Sequence, residues 1–261
     1  MILRVGSRGA SVCDLQRRLN ALGLGPLDED GIFGSATATA LRIFQEGNGL
    51  EADGICGPLT WAQLNEPPPR AQYPAVVLAC ERLGHSMHLD GQVNIIGVRS
   101  KNRQADSFDD EMHLAWVEDG LWHHRQYPCT TDPGLEYLEG ANDRGTAILV
   151  PGQYAAYKFD LHQGRAGYST LCQRAAEVSV YRDGTRDAQL DLNPDTITTG
   201  WYGINHHHAG SGEAARVGRA SAGCQVYQRI SDWMAAMSIC RDREPVNGIF
   251  TYTLINEGDV T

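Results

Sequence analysis

Residues 202–226 read YGINHHHAGSGEAARVGRASAGCQV. A short apolar run delivers three adjacent histidines, crosses a loop rich in Gly, Ala and Arg, and closes on Ser221-Ala222-Gly223-Cys224. A free cysteine, with a pKa of about 8.5, is only slightly ionised at neutral pH and needs a nearby base or cation to act as a nucleophile. Glycine just before it lets backbone N–H groups approach a developing oxyanion. The stretch therefore offers Cys224 as a nucleophile, with the N–H groups of Gly223 and Cys224 as oxyanion donors. The plainer alternative is an ordinary buried thiol beside a surface run of histidines.

His206, His207 and His208 stand 18, 17 and 16 residues before Cys224. Side chains alternate along a strand. If Ile204 points into a core, His206 and His208 share its face, while Asn205 and His207 point to the other side, toward a groove. His207 is the expected base and His206 the alternative. Ser221 either orients the imidazole or bonds the turn. Gln225 and His162 are candidate groove residues. A competing zinc site would take His206 and His208 with His162 and Asp160 or Asp191, but no HExxH spacing supports it. No metal or cofactor is expected.

Working outward, the pattern around this stretch is one of short strands. Residues 93–98, 112–117, 121–127, 147–150, 155–159, 178–181 and 249–255 carry strand character, with Glu118-Asp119-Gly120 as a hairpin turn. Two helices join them: 75–83, stopped by Gly84, and one capped by Ser231 and running to Ile239, with Trp233, Met234 and Met237 inward. A mostly β domain with a few covering helices follows.

The first 66 residues have a different period. Val12, Leu15, Leu19 and Leu22 mark a helix with Ser11 as its cap and Gly23 as its stop. A second helix over 35–46 is expected to bury Ala36, Ala40, Ile43 and Phe44, and a third over 58–64 opens on Pro58. The turn Asp30-Gly31-Ile32-Phe33-Gly34 returns as Asp53-Gly54-Ile55-Cys56-Gly57, each time directly before a helix. The expected fold class is α+β: a small three-helix bundle (1–66), a Pro-rich linker (67–72), and a mostly β domain (73–261).

Leu3, Gly6, Gly9, Val12, Leu15-Gln16 and Leu19, followed by the two Asp-Gly turns, Phe44-Gln45 and Thr60-Trp61, resemble the three-helix peptidoglycan-binding domain. That resemblance implies a wall-targeting module and peptidoglycan as partner. After residue 110, four landmarks in order resemble the YkuD-type L,D-transpeptidase domain: the hairpin into Cys129-Thr130-Thr131-Asp132-Pro133-Gly134, Pro151-Gly152-Gln153-Tyr154, the histidine strand, and Ser-x-Gly-Cys. Two positions depart from it. Ala222 stands where that family has His, and Val226 where it has an Arg that holds substrate. The resemblance implies a Cys/His thiol mechanism with an acyl-enzyme. The pairing with a wall-binding module resembles a phage endolysin, which cleaves wall peptides. An L,D-transpeptidase or L,D-carboxypeptidase is the alternative within this class, and a wall-anchoring protein without activity lies outside it.

Composition limits the partners. The formal charge of −10 with no Lys/Arg cluster argues against nucleic acid. No apolar run is long enough to span a membrane. Seven cysteines without CxxC spacing suggest neither a disulfide framework nor a zinc ribbon. The N-terminus lacks a signal-peptide pattern, so synthesis in a host cytoplasm and action at the wall, as a monomer, are expected.

Overall fold

A computed structural model describes residues 1–67, 69–162 and 167–260; Pro68 of the expected linker lies outside the described residues. The chain divides into two compact units, one comprising Met1–Tyr73 with Val117–His123, the other Pro74–Trp116 with His124–Thr261.

In the first unit, α1 (Ala10–Ala21), α2 (Ser35–Gly47) and α3 (Pro58–Leu64) enclose a core of Val12, Leu15, Leu19, Leu41, Phe44 and Cys56. Gly9, at φ +116°, is the N-cap of α1, so Ser11 lies inside the helix and caps nothing. The buried stripe of α2 also differs from expectation. Ala36 is exposed and Ile43 is 52% exposed, while Thr37 and Gln45 are buried. Polarity alone would put those two outside; a bond from the Gln16 side chain holds Thr37 in, and bonds to the second Asp-Gly turn hold Gln45 in.

Those bonds explain the repeated turn. The Gln16 side chain donates to Asp30 Oδ1, Ile32 O and Thr37 Oγ1 at 3.0, 3.1 and 3.3 Å, and its oxygen accepts the Gly31 N–H at 3.0 Å. Gln45 repeats the set with Asp53 Oδ1, Ile55 O, Thr60 Oγ1 and the Gly54 N–H at 2.9, 3.0, 3.2 and 2.9 Å. Bonds from Gln16 and the Ile32 N–H hold the Asp30 carboxyl below its ordinary pKa. Each glutamine amide thus pins one Asp-Gly turn to one helix. Gln45→Leu strands the buried Gly54 N–H and Thr60 hydroxyl and should cost about 3 kcal/mol, read as a lower denaturant midpoint for this unit.

The second unit opens with α4 (Ala75–Arg82). The strands are β1 (Asn94–Arg99), β2 (Asp110–Glu118), β3 (Leu121–Thr130), β4 (Thr146–Leu149), β5 (Gly152–Leu161), β6 (Ser169–Gln173), β7 (Val178–Asp183), β8 (Thr198–Gly200), β9 (His206–His208), β10 (Gln225–Tyr227) and β11 (Phe250–Asn256). A short α5 (Leu135–Glu139) follows β3, and α6 (Ile230–Asp242) follows β10. The class is α+β.

Eight strands form one sheet in the order β6-β5-β11-β1-β2-β3-β10-β9; β4, β7 and β8 form a second. β1 is buried along its whole length, as expected for a central strand covered on both faces. It runs parallel to β11 and antiparallel to β2. The large sheet curls until its edge strands meet. Thr170 on β6 donates its hydroxyl to the His206 carbonyl on β9, and the Gln173 N–H donates to Asn205 Oδ1 at 3.0 Å. The histidine run lies on this seam.

α6 begins at Ile230 with Arg229 as N-cap and no side-chain cap, so Ser231 is not the cap. Trp233, Ala236, Met237 and Cys240 form its buried stripe, spaced by three and four residues. Met234, expected inward, falls off that stripe and is 59% exposed. None of the seven cysteines is in a disulfide, and among the described residues no helix is long and apolar enough to cross a membrane.

Candidate functional site

β9 and β10 run parallel, pairing His206 with Gln225 and His207 with Val226. The Gln225 N–H donates to the Asn205 carbonyl at 2.9 Å, which brings Cys224 beside Asn205. The half-buried Cys224 thiol is held by backbone: the Asn205 N–H donates to Sγ at 3.4 Å, and the S–H donates to the Gly203 carbonyl at 3.5 Å. No imidazole nitrogen is hydrogen-bonded to Sγ among the described residues. Burial pushes the thiol up to about 11, against the opposing effect of the Asn205 N–H. Cys224 is therefore a neutral thiol at rest.

Alternation along β9 sorts the histidines. His206 points into the core with Ile204, its ring edge-on to Tyr157 and Tyr252 at 4.9 and 4.7 Å. Both its nitrogens are buried and find no partner among the described residues. His207 and Asn205 share the other face and meet the same residue there: the His207 ring lies 4.3 Å from that of His162, and Asn205 Nδ2 is 3.5 Å from His162 Nδ1. His207 Nδ1 lies 3.1 Å from the His208 carbonyl. A carbonyl only accepts, so Nδ1 carries the proton and Nε2 keeps its lone pair. Burial first, and the neighbouring His162 second, pull His207 down to about 4. At neutral pH it is an uncharged ring able to accept a proton.

The Ser-Ala-Gly-Cys turn is built tightly. Ser221 Oγ donates to the Cys224 carbonyl at 2.9 Å and accepts the Gly223 N–H at 3.1 Å. Ser221 thus bonds the turn, and contacts no imidazole. This corrects the oxyanion expectation for Gly223, whose N–H is already engaged. The Cys224 N–H donates to nothing among the described residues. Gly223 sits at φ +113°, and a Cβ there would run into the Ala147 carbonyl oxygen. Gln225 is buried, accepts the Tyr252 hydroxyl at 2.7 Å and donates to the Gly223 carbonyl at 3.4 Å. It lies beneath the turn, where the sequence reading put it in the groove.

The zinc set does not assemble. Among the described residues no group of three His, Cys, Asp or Glu side chains could hold a metal. His208 instead bonds the Gly210 carbonyl at 2.8 Å, with its ring 4.9 Å from that of Trp233, and Asp160 pairs with Arg174 at 2.7 Å.

His206 makes a prediction of known sign. Burial drives its pKa to about 3, against an ordinary value of about 6.5. As pH falls between those values, the unfolded chain takes up a proton that the folded one refuses, so stability falls with pH across that window. Phe at this position keeps the edge-on contacts and removes two unpartnered nitrogens. His206→Phe should raise the melting temperature at every pH, and more near pH 5 than near pH 8. An equal shift at both would show that the ring is not protonated on unfolding.

Sequence reasoning missed Asn205 and Gly203, the residues that touch the sulfur. They do so through backbone atoms, which no side-chain motif announces.

Residues 8–64 match the family described as "Putative peptidoglycan binding domain". Among similar proteins is a spore cortex-lytic enzyme of Oceanobacillus iheyensis, 42% identical over 59 residues, covering 23% of this chain and 21% of that protein. A Burkholderia AP3 phage endolysin structure is 44% identical over 32% of this chain and 33% of its own, with a TM-score of 0.25. An L,D-transpeptidase from Xylanimonas cellulosilytica is 20% identical over 98% of both chains, with a TM-score of 0.24. The chain spans less than half the length of the curated relatives it matches.

Proposed function

We propose that this protein is a peptidoglycan hydrolase that cleaves wall peptides with Cys224 as nucleophile and His207 as base. The observation that carries the reading is the set of groups gathered at the seam. A thiol sits on the Gly203–Asn205 backbone, an unoccupied N–H lies at Cys224, and a neutral imidazole with its tautomer fixed stands two residues along from Asn205. The domain at residues 8–64 supports peptidoglycan as the partner. The placement of His206, with both nitrogens buried, favours His207 over it.

In this mechanism His207 Nε2 takes the Cys224 proton through a bridging water as the thiolate attacks a peptide carbonyl. The Cys224 N–H stabilises the tetrahedral oxyanion. The protonated His207 then gives its proton to the leaving amine, leaving an acyl-enzyme that water hydrolyses. Resting Cys224 and His207 are both neutral, so this is general-base chemistry rather than a standing thiolate–imidazolium pair.

Iodoacetamide should abolish solubilisation of purified sacculi, and a chelator should leave it unchanged. Loss with the chelator alone would replace the thiol reading with a metal one. Accumulation of cross-linked dimers in the digest would replace hydrolysis with transpeptidation.

A further inference from the structure

Gln173 ends β6 at the seam and is 1% exposed. Its side-chain oxygen accepts three consecutive backbone N–H groups, from Tyr202, Gly203 and Ile204, at 3.1, 2.8 and 3.3 Å. Its side-chain nitrogen donates to the Ala176 and Gly200 carbonyls at 3.1 and 3.0 Å. Gly203, at φ +70°, provides the bend that turns these N–H groups toward one point. Such a nest ordinarily binds an anion; here it closes on a neutral amide oxygen. The Gln173 backbone N–H adds the bond to Asn205 Oδ1 at 3.0 Å.

The clamped segment ends at the sulfur. Gly203 supplies the carbonyl that accepts the Cys224 S–H, and Asn205 supplies the N–H that donates to Sγ. One residue on one sheet edge thus fixes both groups that hold the thiol on the other. We infer that Gln173 is a positioning residue for Cys224, setting the reactivity of its thiol through the 200–205 loop; the catalytic part of this rests on the reading of Cys224 as nucleophile.

The chemistry explains why an amide stands there. The position must accept three bonds and donate two. Glutamate keeps the acceptors but sets a carboxylate oxygen against the Ala176 and Gly200 carbonyls. Methionine fills the same space and does neither. With the clamp gone, the loop loosens, water reaches the sulfur, and the burial that now suppresses its ionisation is relieved. The thiol should become more reactive toward a small reagent while the enzyme becomes slower, a pair of effects that simple loss of stability does not produce in a folded protein.

The test uses full-length wild type, Gln173→Met and Gln173→Glu. Iodoacetamide labelling of Cys224 is followed against pH by peptide mass, with the buried Cys129 and Cys240 as markers of an intact fold. In Gln173→Met, labelling of Cys224 near pH 8 should rise by about tenfold or more as its midpoint moves down toward the ordinary thiol value, with Cys129 and Cys240 unlabelled. Turnover on sacculi should fall by about tenfold to a hundredfold at nearly constant KM. Gln173→Glu should lie between the two. If Gln173→Met labels at Cys129 and Cys240, it has not folded, and Gln173→Glu decides by the same criteria. Labelling of Cys224 unchanged in a folded variant overturns the inference. Because labelling reads the pocket directly, it stands apart from the nucleophile reading, which fails instead if Cys224→Ala keeps its activity.

Discussion

Cys224→Ala should lower muropeptide release from purified sacculi by roughly a thousandfold or more, with little change in melting temperature. The side chain makes two weak backbone contacts through sulfur, at 3.4 and 3.5 Å, so removing it deletes little packing. In the proposed mechanism the reaction loses its bond-forming atom. His207→Ala should fall within about tenfold of the same floor, because a nucleophile and its base act as one unit and their losses do not add. His206→Phe should retain near-wild-type turnover, since that ring faces Tyr157 and Tyr252 rather than the thiol. The three variants together separate a base from a core residue one position away. If His206→Phe were the dead variant and His207→Ala the active one, the assignment along β9 would be reversed.

Gly223→Ala should be the most destabilising conservative change near the site. At φ +113° an L side chain is strained by about 1–3 kcal/mol. The added methyl also points at the Ala147 carbonyl oxygen on β4 and lies 3.3 Å from Ile204 Cδ1. Crowding a packed backbone adds roughly 1–3 kcal/mol more. A total of about 4 kcal/mol corresponds to a fall in melting temperature of roughly 10 °C for a unit of this size. Relief of the clash would displace the Ser221–Gly223 bond, and the Cys224 N–H would move with the turn. Activity should therefore drop even below the unfolding transition. A melting temperature within about 2 °C of wild type would mean that this turn tolerates a side chain.

Much of the architecture could be read from the chain because its signals are local. The repeated Asp-Gly turns, Pro58 at the head of α3, the largely apolar runs of β1 and β2 and the alternating run of β11 each state their own conformation. The α2 face differs from its apolar pattern at two polar side chains held inward, Thr37 by the Gln16 amide of α1 and Gln45 by the Asp53-Gly54-Ile55 turn that it binds. Nothing in the local pattern of α2 shows that a hydrogen-bonded amide will outrank an isoleucine for a place inside.

The site divides in the same way. Cys224 and the histidine run stand out by type and spacing, and alternation along a short strand separates His206 from His207. The rest depends on closure of the sheet. Gln173 and Asn205 lie 32 residues apart and meet only because β6 and β9, the two edges, come together. The engagement of the Gly223 N–H by Ser221 is likewise a property of the folded turn. In the proposed mechanism this leaves the Cys224 N–H as oxyanion donor, a narrower site than the Gly-Cys pair alone suggests.

The central claim is that Cys224 forms a covalent acyl-enzyme with a wall peptide. It is tested most directly by mixing the protein with purified muropeptides, quenching in acid, and reading the mass of the peptide that carries Cys224. An added acyl mass on that peptide, absent in Cys224→Ala and slow to form in His207→Ala, is the predicted result. An unmodified Cys224 together with full activity in Cys224→Ala would contradict it.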